Sequence, residues 1–483
     1  MKYTSTRAAD VRVSAAEAVV RGLSDDGGLF VPVELPKLDY RTLIDLDYAG
    51  RADACLRAFF DFDTAGVAKE AYATFDGDPA PVVKLDDRLF VLELWHGRTH
   101  AFKDMALSVL PRLLPRAKSC VGEKDKTLIL VATSGDTGKA ALDGFKDADG
   151  TDVCVFYPTD GVSRVQKLAM QTQDGENVLA VGIAGNFDDA QTAVKKAFAD
   201  AELRSGLAAA GVKLSSANSI NIGRLVPQIA YYYSAYCDLI NSGEIKPGEK
   251  IDFVVPTGNF GNILAGWYAR EMGVPINKLV CASNRNNVLT DFIRSGVYDV
   301  NREFYKTESP SMDILVSSNL ERLIFELSGR DCELVGSRMK ELAEMGRYSV
   351  TQSELDAIHE AFAAGFADDE DTENAIADMF DEYGYLIDTH TAAAYHTAVQ
   401  REFSRPTVVV STANPFKFAP AVLRAIGERA YGLSDEKQIE ALEEATAAEA
   451  PESLKEVFVK PVRFDETIAA DEIIPFIQKR FGA

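Results

Sequence analysis

No run in this 483-residue chain approaches the roughly 18 uninterrupted apolar residues that a membrane-spanning helix needs, so no membrane crossing is expected. Cysteine is scarce. Cys55, Cys120, Cys154, Cys237, Cys281 and Cys332 are scattered without a CxxC pair, which suits neither a disulfide framework nor a zinc site and points to reduced thiols. The opening residues, MKYTSTRAADVRVS, lack the apolar stretch of a secretory signal, and Arg7 and Arg12 do not make an Arg-rich presequence, so a cytoplasmic location is the expectation. Basic residues are outnumbered, 51 against 74 acidic ones, and the net charge of −23 repels a phosphate backbone; no nucleic-acid partner is expected. No HExxH is present, Gly97 breaks any helix between His96 and His100, and His390 and His396 are six apart, so no metal site is read. A GxSxG nucleophile elbow is also missing.

What the chain does contain is the composition of a globular enzyme, 47% hydrophobic and 26% charged, at a length that calls for more than one core. Short β-branched runs end in glycine-rich or polar loops and pass into helical patterns, the alternation of a parallel α/β sheet. Leu128 to Ala132 runs into TSGDTGKAAL, Val153 to Tyr157 into PTDGVSRVQKL, Ile251 to Pro256 into TGNFGNILAGWYARE, and Thr407 to Val410 into STANPFKFAPAVLRAI. Ligands of open parallel sheets bind outside the carboxyl ends of the strands, so these four loops are expected to wall one site. The segment from Asn186 to Asp200 reads as an amphipathic packing helix, with Phe187, Ala190, Val194, Ala197 and Phe198 on one side. Leu433 to Ala450, rich in Glu and Ala, reads as a solvated surface helix or flexible stretch.

Three loops carry residues suited to chemistry. In GRTHAFKDMALSVLPRLL, Lys103 opens a helical pattern of Met105, Leu107, Leu110, Leu113 and Leu114. A helix N-terminus and apolar flanks both favour a neutral amine, which a Schiff-base lysine needs; the alternative is a surface lysine paired with Asp104. Thr257, Gly258, Asn259, Phe260, Gly261 and Asn262 follow a strand and open a helix, where glycines let backbone N–H groups approach an anion. No GK[ST] follows, which excludes a nucleotide P-loop, and a plain strand-to-helix turn is the alternative. Thr133, Ser134, Gly135, Asp136, Thr137 and Gly138 repeat the design with hydroxyls suited to an amino-acid carboxylate, or else form a helix start capped by Asp136 or Thr137.

Taken together, GRTHAFKDMAL, ATSGDTGKAAL and VVPTGNFGN resemble the cofactor-lysine, substrate-loop and phosphate-cup motifs of threonine synthases, within the pyridoxal-phosphate fold shared with tryptophan synthase β-subunits. STR at Ser5 to Arg7, EAVVRGLSDDGGLFVP, NSINIGRL, SMDILVSSNLERL, DTHTA and STANPFKF extend the likeness from about residue 3 to 425. The resemblance implies PLP fold type II, with open, mostly parallel sheets in two lobes plus a family-specific N-terminal region. The corresponding limits are an N-terminal region at 1–98, a smaller lobe at 99–215 and a larger lobe at 216–483. It further implies that Lys103 carries pyridoxal 5'-phosphate, that Gly258, Asn259, Phe260, Gly261 and Asn262 hold its phosphate, and that Thr412 faces the pyridine nitrogen. Ser134, Gly135, Asp136 and Thr137 would face the substrate carboxylate. Asn218, Ser219, Asn221, Arg224 and Lys417 would hold the substrate phosphate or order the pocket. The chain departs from the family in having Asn414-Pro415-Phe416-Lys417 where His-Pro-Ala-Lys is common, and Ile222 where Trp is common.

The implied reaction converts O-phospho-L-homoserine and water to L-threonine and phosphate, in a monomer or homodimer. The competing readings are a phospho-lyase that stops at elimination and a non-catalytic metabolite-binding protein.

Overall fold

Two parallel sheets organise the chain. The larger runs in the order Phe362–Phe366, Ile276–Ser283, Ile251–Pro256, Thr407–Ser411, Leu89–Glu93 and Val82–Lys84, and only the last strand is antiparallel to its neighbour. The smaller runs Thr467–Ala469, Val178–Ala184, Thr151–Pro158, Lys126–Ala132, Val212–Ser216, all parallel. A third sheet, antiparallel, joins Val13–Ser14, Lys2–Ser5 and Phe30–Pro32 near the start. The computed structural model describes residues 1–159, 162–185 and 187–482, with the side chains of Phe187 and Asp188 left out.

Helices cover both faces of a parallel sheet, so its strands are apolar runs rather than alternating ones. Thr407–Ser411 and Leu89–Glu93 are buried at every position, and Lys126–Ala132 at all but its first. The tyrosine-rich helix Ile229–Asn241 is buried through most of its length and packs against the helices Tyr48–Phe59 and Gly261–Met272. Tyr48–Phe59 lies in the N-terminal region, so that region shares a core with the larger lobe.

The lobe limits expected from sequence differ from the sheets in two places. Val82–Lys84 and Leu89–Glu93, assigned to the N-terminal region, are strands of the larger sheet. Thr467–Ala469, assigned to the larger lobe, completes the smaller sheet, and the helix Ile473–Phe481 that follows packs on the helices Phe187–Ala199 and Ala201–Ala209 of the smaller lobe. Strand pairing between residues distant in sequence decides both placements, and local pattern carries no record of it.

The amphipathic segment forms the helix Phe187–Ala199, with Ala190, Val194 and Ala197 buried and Phe198 partly so. Asn186 and the side chain of Phe187 lie outside the described residues, as do Asp160 and Gly161 of the loop after Thr151–Pro158. The Glu- and Ala-rich stretch is not a fully solvated helix: Asp435–Thr446 buries Gln438, Ile439 and Leu442 against the helix Ala419–Ala425. Lys103 heads only a single turn, Asp104–Leu107, and the pattern resumes as the separate helix Leu110–Val121 with Pro111 in its first turn. Proline is tolerated there because the first-turn N–H groups lack helical partners in any case.

Candidate active site

Three loops reach one cavity from the carboxyl ends of Lys126–Ala132, Ile251–Pro256 and Thr407–Ser411. The Lys103 segment is fastened to the third of them. Phe102 N–H donates to the Thr412 carbonyl at 2.8 Å, Asn414 N–H donates to the His100 carbonyl at 3.1 Å, and Ala101 bridges Ala413. Lys103 and Thr412 therefore sit on adjoining backbones and both line the cavity. His100 holds a left-handed backbone, φ 55°, at this bend. Asp104 turns away from Lys103: its carboxylate accepts from the Thr99 N–H at 2.8 Å and the Thr99 hydroxyl at 2.6 Å. The surface-lysine alternative falls with that geometry, since Lys103 is only 8% exposed.

Lys103 Nζ lies 3.5 Å from Asp136 Oδ2 and 4.7 Å from the centre of the Phe102 ring. Burial pushes its amine towards the neutral form; Asp136 opposes that shift, while Lys417 and Arg224 add to it. Asp136 is shared. Lys417 Nζ approaches its other oxygen at 2.7 Å and donates to the Thr99 carbonyl at 2.9 Å, and Gln166 Nε2 donates to the same oxygen at 3.0 Å. Burial alone would raise the Asp136 carboxyl, but Lys417 first and Lys103 second hold it well below the ordinary carboxylate range. A carboxylate already balanced by Lys417 exerts less pull on the proton of Lys103 than a lone one would.

The helix Asp136–Gly144 has Gly135, not Asp136 or Thr137, at its N-cap, with no side-chain cap bond. The capping alternative is thereby set aside, and the Asp136 carboxylate is committed to the two lysines. Gly135 adopts φ 140°, and a Cβ there would stand 2.6 Å from the Gln166 side chain, so glycine is required. The phosphate-suited loop is equally close-built. A Cβ at Gly258 would stand 2.6 Å from the Ser311 carbonyl oxygen, and one at Gly261 would stand 2.7 Å from Ser219 Oγ. Phe260 takes φ 62°, which turns the chain into the helix Gly261–Met272, whose first two residues line the cavity.

Among the described residues, two buried donors at the cavity have no partner, Asn262 Nδ2 and Arg224 Nε. Arg224 lines the cavity with no carboxylate bonded to it among the described residues, and burial pushes its guanidinium down to about 10, which leaves it charged at neutral pH. A buried cation without a counter-ion is costly unless an anion arrives. This donor set, with the Lys103 amine in the same cavity, fits a bound phosphate monoester cofactor and a second anionic group.

Among the residues expected from sequence, Lys103, Ser134, Asp136, Thr137, Asn218, Ser219, Arg224, Gly258 to Asn262 and Thr412 line the cavity. Gly135, Asn221 and Lys417 do not. Asn221 caps the helix Ile222–Leu225 through the Gly223 N–H and donates to the Val19 carbonyl, so it orders the loop. Sequence reading passed over His390, Ser311, Met312, Asp313 and the face of Gln191, Lys195 and Phe198, which also line the cavity. His390 had been weighed only as a metal ligand. Its Nδ1 pairs with Asp388 at 2.8 Å and its Nε2 accepts from the Ser311 N–H at 3.2 Å, so it clips the 311–313 loop in place. Arg322, fully buried, donates to the carbonyls of Phe30, Ser219 and Ile220 and ties the N-terminal region to the 218–224 loop. SMDILVSSNLERL and DTHTA were the available signals for these residues, though neither motif reveals which side chains reach inward.

Family models match in three consecutive blocks: threonine synthase N terminus over residues 2–70, pyridoxal-phosphate dependent enzyme over 78–414, and threonine synthase C-terminal over 390–474. The chain belongs to the threonine synthase family. It is similar to threonine synthase of Pseudomonas aeruginosa, at 38% identity over 88% of this chain and 90% of that one, and to that of Saccharomyces cerevisiae at 36%, over 88% and 89%. The human protein threonine synthase-like 1 is 41% identical over 85% of this chain, and the alignment spans 58% of that longer protein. The PLP-bound threonine synthase of Brucella melitensis superposes with a TM-score of 0.88 at 36% identity, covering 100% of both chains. The yeast threonine synthase structure superposes at 0.86 with 32% identity, over 99% and 98%. The fold is therefore PLP fold type II with its family-specific N-terminal region, and the cofactor of this threonine synthase family is pyridoxal phosphate.

Proposed function

We propose that this chain is a threonine synthase, converting O-phospho-L-homoserine and water to L-threonine and phosphate. The observation that carries this reading is the pair of unpartnered buried donors, Asn262 Nδ2 and Arg224 Nε, at the cavity that Lys103 enters. One cavity thus holds two anion-suited donors and an amine.

The cup of Gly258, Asn259, Phe260, Gly261 and Asn262 holds the cofactor phosphate, Lys103 tethers the cofactor, and Thr412 offers its hydroxyl to the ring nitrogen. When bound, pyridoxal phosphate supplies an electron sink that makes protons on the neighbouring substrate carbons acidic. Lys103 is buried and biased towards the neutral form, so when not tethered it would serve as general base at the substrate Cα. Asp136, already ion-paired with Lys417, receives the Lys103 ammonium that results and holds it for return. Ser134 and Thr137 donate to the substrate carboxylate. Arg224, with Asn218 and Ser219, binds the substrate phosphate and stabilises the charge that grows on it as it leaves.

Stoichiometric release of threonine and phosphate from O-phospho-L-homoserine by the purified, cofactor-loaded protein is the test. Phosphate with a keto acid and ammonia in place of threonine would make it a phospho-lyase, and absence of any turnover would return it to a binding protein. Replacing Thr412 by Val is expected to leave cofactor uptake within about threefold and to lower kcat about 10- to 100-fold, the cost of one hydrogen bond of about 1.4–3 kcal/mol in the reacting state. Absorbance titration beside a rate assay checks both numbers, and a kcat equal to wild type would remove Thr412 from the mechanism.

A further inference from the structure

Asn262 ends the cup, and its side chain is gripped from behind. Tyr231 and Tyr232, consecutive on the helix Ile229–Asn241 and both fully buried, each donate a hydroxyl hydrogen to Asn262 Oδ1, at 2.6 and 2.8 Å. Neighbours on a helix normally diverge. Here the rings converge, with centroids 5.0 Å apart, so that both hydroxyls meet one acceptor. An amide oxygen has two lone pairs, and the two phenols occupy both. The other end of the amide, Nδ2, is buried and has no partner among the described residues.

We propose that Tyr231 and Tyr232 are positioning residues for cofactor affinity, which lock the Asn262 amide so that its NH2 group, not its oxygen, faces the cofactor phosphate. The flipped amide would present an acceptor to an anion and would leave the phenol hydrogens facing donors, so both ends would be mismatched. Burial raises the two phenols well above their ordinary pKa, which keeps them protonated as donors. Tyr232 also reaches the Asn262 carbonyl at 3.1 Å. Tyr231 also reaches Gln228 Oε1 at 3.3 Å, and Gln228 Nε2 in turn donates to the Arg224 carbonyl at 2.9 Å.

The proposal rests on the reading of residues 258–262 as a phosphate cup, and the experiment separates the two ideas. Full-length wild type, Tyr231→Phe and Tyr232→Phe, freed of cofactor, are titrated with pyridoxal phosphate and with pyridoxal, following the chromophore. Wild type is expected to favour the phosphorylated form strongly. Each Phe variant should bind pyridoxal phosphate roughly five- to tenfold more weakly, as one lost hydrogen bond implies, while pyridoxal affinity stays within about twofold. Equal weakening towards both ligands would mark the tyrosines as merely structural and overturn the proposal, as would no weakening at all. A wild type indifferent to the phosphate would remove the cup itself, and that result is read on the unmutated protein.

Discussion

Lys103→Ala is expected to lower threonine formation by at least about 10^4-fold, the upper range for removing a positioned general base, and to prevent borohydride from fixing the cofactor to the chain. The physical basis is placement: Lys103 is buried beside Asp136 on the segment fastened to Thr412. Lys417, whose charge also bears on Lys103, is held by Asp136 at 2.7 Å and by the Thr99 carbonyl, and it is not among the cavity-lining residues. Noncovalent cofactor binding should survive, because the cup of residues 258–262 is built on the larger sheet and owes nothing to the Lys103 side chain. Steady-state rates beside mass analysis of the borohydride-treated protein give both readings. Turnover within tenfold of wild type would eliminate Lys103 as the catalytic residue.

The second large effect is expected at Arg224. Truncation to alanine removes a buried charge that bonds no carboxylate, and phosphate recognition by such a group is worth roughly 2–5 kcal/mol, so kcat/KM should fall about 30- to 5000-fold. The loss should appear mostly in KM if Arg224 only binds the phosphate, and in kcat as well if it stabilises the departing one. Cofactor affinity should change little. An Arg224→Lys variant should recover only part of the loss, because a point charge cannot reproduce the planar fork. Unchanged kcat/KM in the alanine variant would take Arg224 out of the substrate site.

The cavity was largely legible in the sequence because its walls are local motifs. Each is a buried strand running into a small-residue loop and a helix, and the period change from strand to helix marks the loop where Lys126–Ala132 and Ile251–Pro256 end. Residue type was readable there, but direction was not. Asp136 could as well have capped its helix as paired with lysines, and the choice turned on Lys417, which lies far along the chain. Asn221 and Lys417 carry donors suited to phosphate, yet both are spent on neighbouring backbone or on Asp136. Long-range clips such as Arg322 and the Asn262 grip by Tyr231 and Tyr232 were invisible for the same reason. A buried arginine or tyrosine looks like any other until its partners are located. The lobe limits failed where strands pair across most of the chain.

One such pairing has a kinetic side. Thr467–Ala469 pairs with Gly182, Ile183 and Ala184 and covers that end of the smaller sheet's edge, and Ile473 and Ile477 enter that lobe's apolar cluster. The strand it protects emerges early in synthesis and its cover late, so the nascent smaller lobe must spend the intervening time with an open edge, the state in which strands recruit unintended partners. The acidic surplus of the chain bears on the same interval, because like charge on neighbouring copies opposes their association.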